Sequence, residues 1–253
     1  YYLQYRKRQG YNVLQINILP QWDASATDLN HSPYQKDEKG NYQFDKLNDS
    51  YFNHARSMCE VAKEYGFELA LVVLWCNYVP ATWANNMLSH NTMPYEEIDG
   101  YIKKVNETFT DLDPLYVISG DTDLNEEISC SYYLKASQLL HELAPNCLQS
   151  LHVRGRLMEI PEKLIKQMDF YMFQSGHNAK LENRAMPYCL PEYFIEHYPV
   201  KPLLNSEPCY EQMGYSSNMY GRFQTSCLAK YFNRCFCGNH IWGSWHLQLA
   251  YLW

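Results

Sequence analysis

The chain has 253 residues, of which 46% are hydrophobic, 15% aromatic and 19% charged. That is enough to bury about three quarters of the unfolded surface, which excludes a disordered chain. Its 21 Lys and Arg against 28 Asp and Glu leave a formal charge of −7, which excludes the basic footprint of a nucleic-acid binder, and no stretch reaches the roughly 18 consecutive apolar residues of a membrane span.

Short apolar runs alternate with amphipathic segments along the whole length. Residues 1–10 read as a helix. Residues 13–20 (VLQINILP) read as a strand. Residues 21–48 are unusually polar for a connection and are placed over the mouth of the fold. Residues 51–65 predict a helix with Phe52, Ala55, Cys59 and Ala62 on one face, Ser50 as its N-cap and Gly66 as its stop. Residues 67–75 (FELALVVLW) read as a buried strand. Pro94 opens the next helix, with Glu96 and Glu97 in its first turn and Ile98, Ile102, Val105 and Phe109 as its stripe. Residues 115–121 are a strand. Residues 131–143 are a helix bearing Leu134, Leu139, Leu140 and Leu143. A strand at 148–153, a short helix at 161–167, a strand at 169–176, a helix at 191–197 and a strand at 202–208 follow. A helix at 220–235 and a strand at 241–246 complete the pattern.

Sustained alternation of strand and helix implies a parallel sheet. An open doubly wound sheet is the competitor, but its glycine fingerprints G-x-G-x-x-G and G-x-x-x-x-G-K-[ST] are missing from the chain. Polar residues recur instead where strands end: Trp75-Cys76-Asn77, Asp121, His152, residues 174–177, Glu207 and Trp245-His246. In a (β/α)8 barrel those ends meet on one face, where the active site sits. Seven strands fit such a barrel with its first strand lying before Tyr1. The expectation is a single (β/α)8 catalytic barrel over residues 1–253, a truncated one, since the chain begins without Met in what reads as mid-helix.

The composition is rich in Tyr (23) and holds 6 Trp. These side chains pair a flat apolar face with a polar edge, which suits a sugar ring. The 9 Cys are odd in number and mostly lie in apolar runs (Cys59, Cys76, Cys130, Cys147). They read as buried free thiols, which favours a reducing, cytoplasmic compartment over a disulfide framework. Cys235 and Cys237, near Cys227, lack further ligands at short spacing, so no metal and no cofactor are expected.

Two segments carry acids at strand ends. Ser119-Gly120-Asp121 closes one strand, and Asn205-Ser206-Glu207-Pro208 closes another. With the missing strand counted as the first, Asp121 ends strand four and Glu207 strand seven. Glycosidic cleavage needs two such carboxyls, one protonated to donate and one ionised to attack or to activate water. Acids at strand ends also cap helices or bind metals, so this pattern alone leaves the role open.

The chain resembles the apiosidase-like glycoside hydrolases, a largely bacterial barrel family. The matching segments are Gly10-Tyr11-Asn12-Val13 with Gln15, Asp28-Leu29-Asn30, Tyr51-Phe52-Asn53-His54, Pro80-Ala81-Thr82-Trp83, Ser119-Gly120-Asp121, Gln174-Ser175-Gly176-His177 and Glu207-Pro208-Cys209-Tyr210-Glu211. The resemblance implies a (β/α)8 barrel, hydrolysis of a glycosidic bond, and Asp121 and Glu207 as the catalytic carboxylates. Placement on strands four and seven also resembles the large retaining barrel clan. That implies Asp121 as acid/base and Glu207 as nucleophile, their carboxyls about 5–5.5 Å apart. No particular sugar is implied, because the loops that set specificity vary freely on barrels.

The substrate-binding candidates are Asp28, Trp75, His152, Gln174, His177, Tyr210, Trp242 and Trp245. Trp75 is either a stacking platform or core packing, and Trp83 an anchor for its own loop. Tyr210 can donate to the nucleophile. Glu211 reads as a solvated helix-start acid. The expected partner is an oligosaccharide or glycoside, with no nucleic acid and no membrane. Two alternatives stay open at this point: a non-catalytic carbohydrate-binding barrel, and a metal-dependent barrel hydrolase using His152, His177 and His246.

Overall fold

A computed structural model of the protein describes residues 1–21, 32–176, 185–208 and 249–252. The chain opens with helix α1 (Tyr2–Arg8). Three basic residues lie in its last turn, where they complement the helix dipole, and Lys7 Nζ donates to Gly66 O at 2.6 Å. Strand β1 (Val13–Asn17) follows.

The polar stretch before residue 48 holds an element that its composition did not announce. Strands β2 (Tyr34–Lys36) and β3 (Tyr42–Leu47) pair antiparallel. Their turn is held by Asp37, whose Oδ1 accepts from the N–H groups of Lys39 and Asn41 at 2.9 and 2.8 Å. Tyr34 is fully buried there against Phe44, ring centroids 4.8 Å apart.

Helix α2 (Asp49–Glu64) buries Phe52, Cys59 and Ala62 as its spacing demands. Its cap is Asn48 rather than Ser50: the Asn48 carboxamide oxygen accepts from Ser50 N–H. Ser50 already lies inside the first turn. Gly66, with φ +76, stops the helix in a conformation that disfavours a Cβ. Strand β4 (Glu68–Trp75) is buried from Leu69 onward, which is why it reads as one continuous apolar run rather than an alternation. Then come helix α3 (Trp83–Met87), helix α4 (Ile98–Phe109) with its four stripe residues buried, and strand β5 (Leu115–Gly120).

Helix α5 (Glu127–Leu143) begins four residues earlier than its leucines suggested. Its buried face is Tyr133, Ala136 and Leu140, while Leu143 is exposed. Small and aromatic residues three and four apart, not the leucines alone, form the stripe that meets the sheet. Strand β6 (Gln149–Ser150), helix α6 (Glu162–Ile165) and strand β7 (Tyr171–Phe173) are short. Helix α7 (Met186–His197) starts before Pro191, which lies inside it; Pro187 takes the first-turn position that proline tolerates. Strand β8 (Leu203–Asn205) and strand β9 (Leu249–Leu252) end the described chain. The helix and strand expected at 220–235 and 241–246 lie outside the described residues.

The parallel strands run in the order β6-β5-β4-β1-β9, with β7 and β8 paired parallel to each other. Asp169 N–H donates to Gln149 O at 2.8 Å and carries the arc from β6 toward β7. Helices join successive strands of this arc, and that is the path of a (β/α)8 barrel. The edge of β1, where the first strand was expected to be lacking, is paired in this structure by β9, with Val13 opposite Leu249. Cys59, Cys76, Cys130 and Cys147 are free and buried, as their apolar surroundings in sequence suggested. Among the described residues no helix is long and apolar enough to cross a membrane.

Candidate active site

The C-terminal ends of β4 to β8 carry the polar residues that the strand pattern singled out. Gly120 is the residue on which this cluster is built. A Cβ there would stand 2.0 Å from the Trp75 ring, so only glycine lets the β4 indole lie across the end of β5. The next residue, Asp121, turns the chain out of the sheet in the left-handed region, at φ +47. Two contacts hold it there. Trp83 Nε1 donates to Asp121 O at 2.8 Å, and Asp121 N–H points at His152 Nδ1, 3.4 Å away.

His152 follows β6 and is 1% exposed. Ser119 Oγ donates to its carbonyl at 3.0 Å, which ties the ends of β5 and β6 together. The His152 ring lies beside Trp75, centroids 6.2 Å apart, and its Nε2 stands 3.3 Å from Glu207 Oε2. Nδ1 faces the backbone of Asp121 and Nε2 faces the carboxylate of Glu207. One imidazole thus spans the residues that end β5 and β8.

Glu207 is 5% exposed. The backbone around it is pinned to the end of β7: Gly176 N–H donates to Glu207 O at 3.1 Å, and Ser206 N–H to Phe173 O at 2.8 Å. Asn205 Nδ2 also donates to Ser175 Oγ at 2.9 Å. Gln174 is buried beside them, and its Oε1 has no hydrogen-bond partner among the described residues.

The electrostatics separate the two acids. The Asp121 carboxyl is raised from 3.8 to about 6, mainly by burial, with His152 opposing the rise and the negative charge of Glu207 adding to it. Arg154 opposes the rise and Asp123 adds to it. Asp121 is therefore held toward its protonated form in a site that also holds a second carboxyl.

Of the residues proposed from sequence, Asp121, Glu207, Trp75, His152 and Gln174 gather here. Trp75 is 6% exposed and packed on Gly120, so it is a wall of the site rather than an open stacking platform. Trp83 anchors the Asp121 loop through its indole N–H. Asp28, His177, Tyr210, Glu211, Trp242, Trp245 and His246 lie outside the described residues, as do Cys227, Cys235 and Cys237. Among the described residues no group of three or more His, Cys, Asp or Glu is placed to hold a metal. Sequence reasoning passed over Arg154 and Arg156. Their only signal was the step H-V-R-G-R directly after a strand-ending histidine.

Residues 1–237 match the family model described as "Apiosidase-like, catalytic domain". No curated protein matches the chain. Among solved structures, one titled only "Glycoside hydrolase" superposes with a TM-score of 0.69 at 20% identity, covering 99% of this chain and 56% of that one. A glycoside hydrolase family 5 protein from Bacteroides vulgatus ATCC 8482 has a TM-score of 0.70 at 19% identity, over 99% of this chain and 53% of that one. The hyperthermostable endo-1,4-beta-D-mannanase from Thermotoga petrophila RKU-1 has a TM-score of 0.60 at 13% identity, over 91% and 79%. The chain spans little more than half the length of the first two. At these identities the likeness concerns the fold, and it agrees with the strand path traced above.

Proposed function

This chain belongs to the apiosidase-like catalytic-domain family, and from that premise we propose that it is a retaining glycoside hydrolase whose working carboxylates are Asp121 and Glu207. The observation that carries the reading is that two residues from strands that are not neighbours meet one buried histidine, Asp121 through its backbone N–H and Glu207 through its carboxylate. Asp121, lifted to about 6, is the proton donor to the leaving oxygen. Glu207, facing the Nε2 side of His152, attacks the anomeric carbon as the carboxylate. The leaving group departs with the Asp121 proton. Water then opens the glycosyl ester, giving its proton to Asp121. A buried carboxylate is a better nucleophile when it is fixed in orientation, and the bonds from β7 to the backbone of Glu207 support that fixing.

Carbohydrate is the substrate class that this machinery suits. The buried, unpartnered Gln174 Oε1 is an acceptor ready for a sugar hydroxyl. Asp28, His177, Tyr210, Trp242 and Trp245 keep their proposed substrate-binding roles on the sequence reading alone.

The test is a hydrolysis screen on aryl glycosides and plant oligosaccharides, with the product anomer followed by NMR at early times. E207Q is expected to lose at least about 10³-fold in kcat while keeping the native circular dichroism spectrum, and the first product formed is expected to keep the anomeric configuration of its substrate. Full turnover by E207Q removes Glu207 from the mechanism. An inverted first product rejects the retaining pathway. Sugar binding without hydrolysis of any glycoside by the native protein favours a non-catalytic carbohydrate-binding barrel.

A further inference from the structure

The turn after β6 carries two arginines that the chemistry above leaves unused. Val153 makes a parallel bridge to Thr122, and Arg154 N–H donates to Thr122 O at 2.8 Å. The chain therefore leaves the sheet level with the Asp121 loop. Leu157 N–H closes the turn on Arg154 O at 3.2 Å, with Gly155 and Arg156 at its centre.

Arg156 has φ +66. That is the left-handed region, where a long side chain is strained, although a glycine stands one position earlier. The strained residue is tied down: its N–H donates to Gln174 O at 2.8 Å. Its guanidinium lies against Gly176, where a Cβ would come within 2.9 Å of Nη1. Gly155 in turn leaves the carboxamide of Gln174 just clear, at 3.8 Å from a Cβ built there. Arg154 is exposed, and its charge reaches the Asp121 carboxyl without forming an ion pair.

Neither guanidinium has an ion-pair or side-chain hydrogen-bond partner among the described residues. In the same protein Arg56 is held by both Glu60 and Asp111. An arginine fork with no side-chain partner among the described residues, beside the strand-end acids, matches an oxyanion, two of whose oxygens it can grip with parallel hydrogen bonds. The buried, unpartnered Gln174 Oε1 belongs to the residue that the turn is bonded to, and it offers an acceptor to a neighbouring hydroxyl.

We propose that the Arg154–Arg156 turn is an anion subsite, so that the sugar bound beside the scissile bond carries a carboxylate or a sulfate ester. The inference rests on reading the Asp121–Glu207 cleft as a glycosidase site, and it is tested without asking for turnover. Isothermal titration of the native protein at low salt compares galacturonate and glucuronate with galactose and glucose, and galactose 6-sulfate with galactose.

The charged sugars are expected to bind at least about tenfold more tightly than their neutral counterparts. That advantage is expected to shrink in R154Q and in R156Q and to fade as salt is raised. R156K, which keeps the charge and loses the fork, retains only part of it. R156G removes the fork while relieving the backbone, so a loss of preference there is not a folding defect. A gain confined to the uronates assigns a carboxylate, and a gain confined to the sulfated sugar assigns a sulfate ester. Equal affinity for charged and neutral sugars, no detectable binding of the charged ones, or a preference that survives both glutamine variants overturns the proposal. Failure of the hydrolysis screen, by contrast, counts against the glycosidase reading and leaves these titrations to be judged separately.

Discussion

Replacing Gly120 by Ala is the sharpest mechanical test of the site. The added Cβ would lie 2.0 Å from Cε3 of Trp75 and 2.6 Å from Cζ3, against the roughly 3.5–4.0 Å of ordinary carbon contact. The indole cannot swing freely aside, because Trp75 is 6% exposed and its ring neighbours His152. Overpacking a filled core costs about 1–3 kcal/mol, and a rigid ring as the obstacle places this case at or above the upper end. For a domain of this size that is a fall in Tm of roughly 6–12 °C. The displacement would pass through Trp75 to His152 and on to the contacts that His152 makes with Asp121 and Glu207, so glycosidase turnover should fall by more than the loss of folded protein explains. Urea denaturation of G120A, W75A and the double variant measures the coupling. If the clash is the cause, the cycle closes with at least about 2 kcal/mol of interaction energy, because the alanine is harmless once the indole is gone. G120A as stable and as active as the native chain would refute the packing argument at its base.

Three other outcomes follow from named contacts. Asp121 titrates near 6 in the folded chain, against 3.8 ordinarily. The folded state therefore binds the extra proton between those values, so the contribution of Asp121 to stability is fully present below about pH 4 and is lost as pH rises through about 6. D121N escapes this decline. Its stability relative to the native protein should improve by up to about 3 kcal/mol between pH 4 and pH 7, as read by denaturant titration at the two pH values; a difference that does not change with pH sinks the assignment. W83F loses the indole donor to Asp121 O and should cost about 1 kcal/mol with a lowered kcat, whereas unchanged kinetics would mean that the Asp121 loop holds itself. N48A removes both the cap to Ser50 N–H and the bond to Ser32 O and should cost about 1–2 kcal/mol; an unshifted urea midpoint would show that α2 needs no cap.

Much of the barrel could be read from periodicity. β4 and the stripe of α4 were legible because burial on both faces leaves an unbroken apolar run, and burial on one side leaves a 3.6-residue repeat. The hairpin of β2 and β3 was not, because strands this short and half exposed leave no apolar signature, and only Tyr34 and Phe44 among them are fully committed to the core. The register of α5 was misjudged for a related reason. Leucines mark hydrophobicity, but tyrosine, alanine and serine fit closer to a sheet, and they fill the face that α5 buries.

The site divides along the same line. The chain itself placed Asp121 and Glu207 at strand ends, and so on the face where a barrel keeps its chemistry, because that depends only on strand order and direction. Folding decided what surrounds them. His152 comes to lie between two strand ends 86 positions apart in sequence, Trp75 occupies the space that Gly120 leaves open, and the turn that carries Arg154 and Arg156 is bonded to the backbone of Thr122 and Gln174. Contacts of this kind arise from the radial packing of side chains around the arc, which no spacing along a single strand encodes. They set the burial and the neighbouring charges that lift the Asp121 carboxyl.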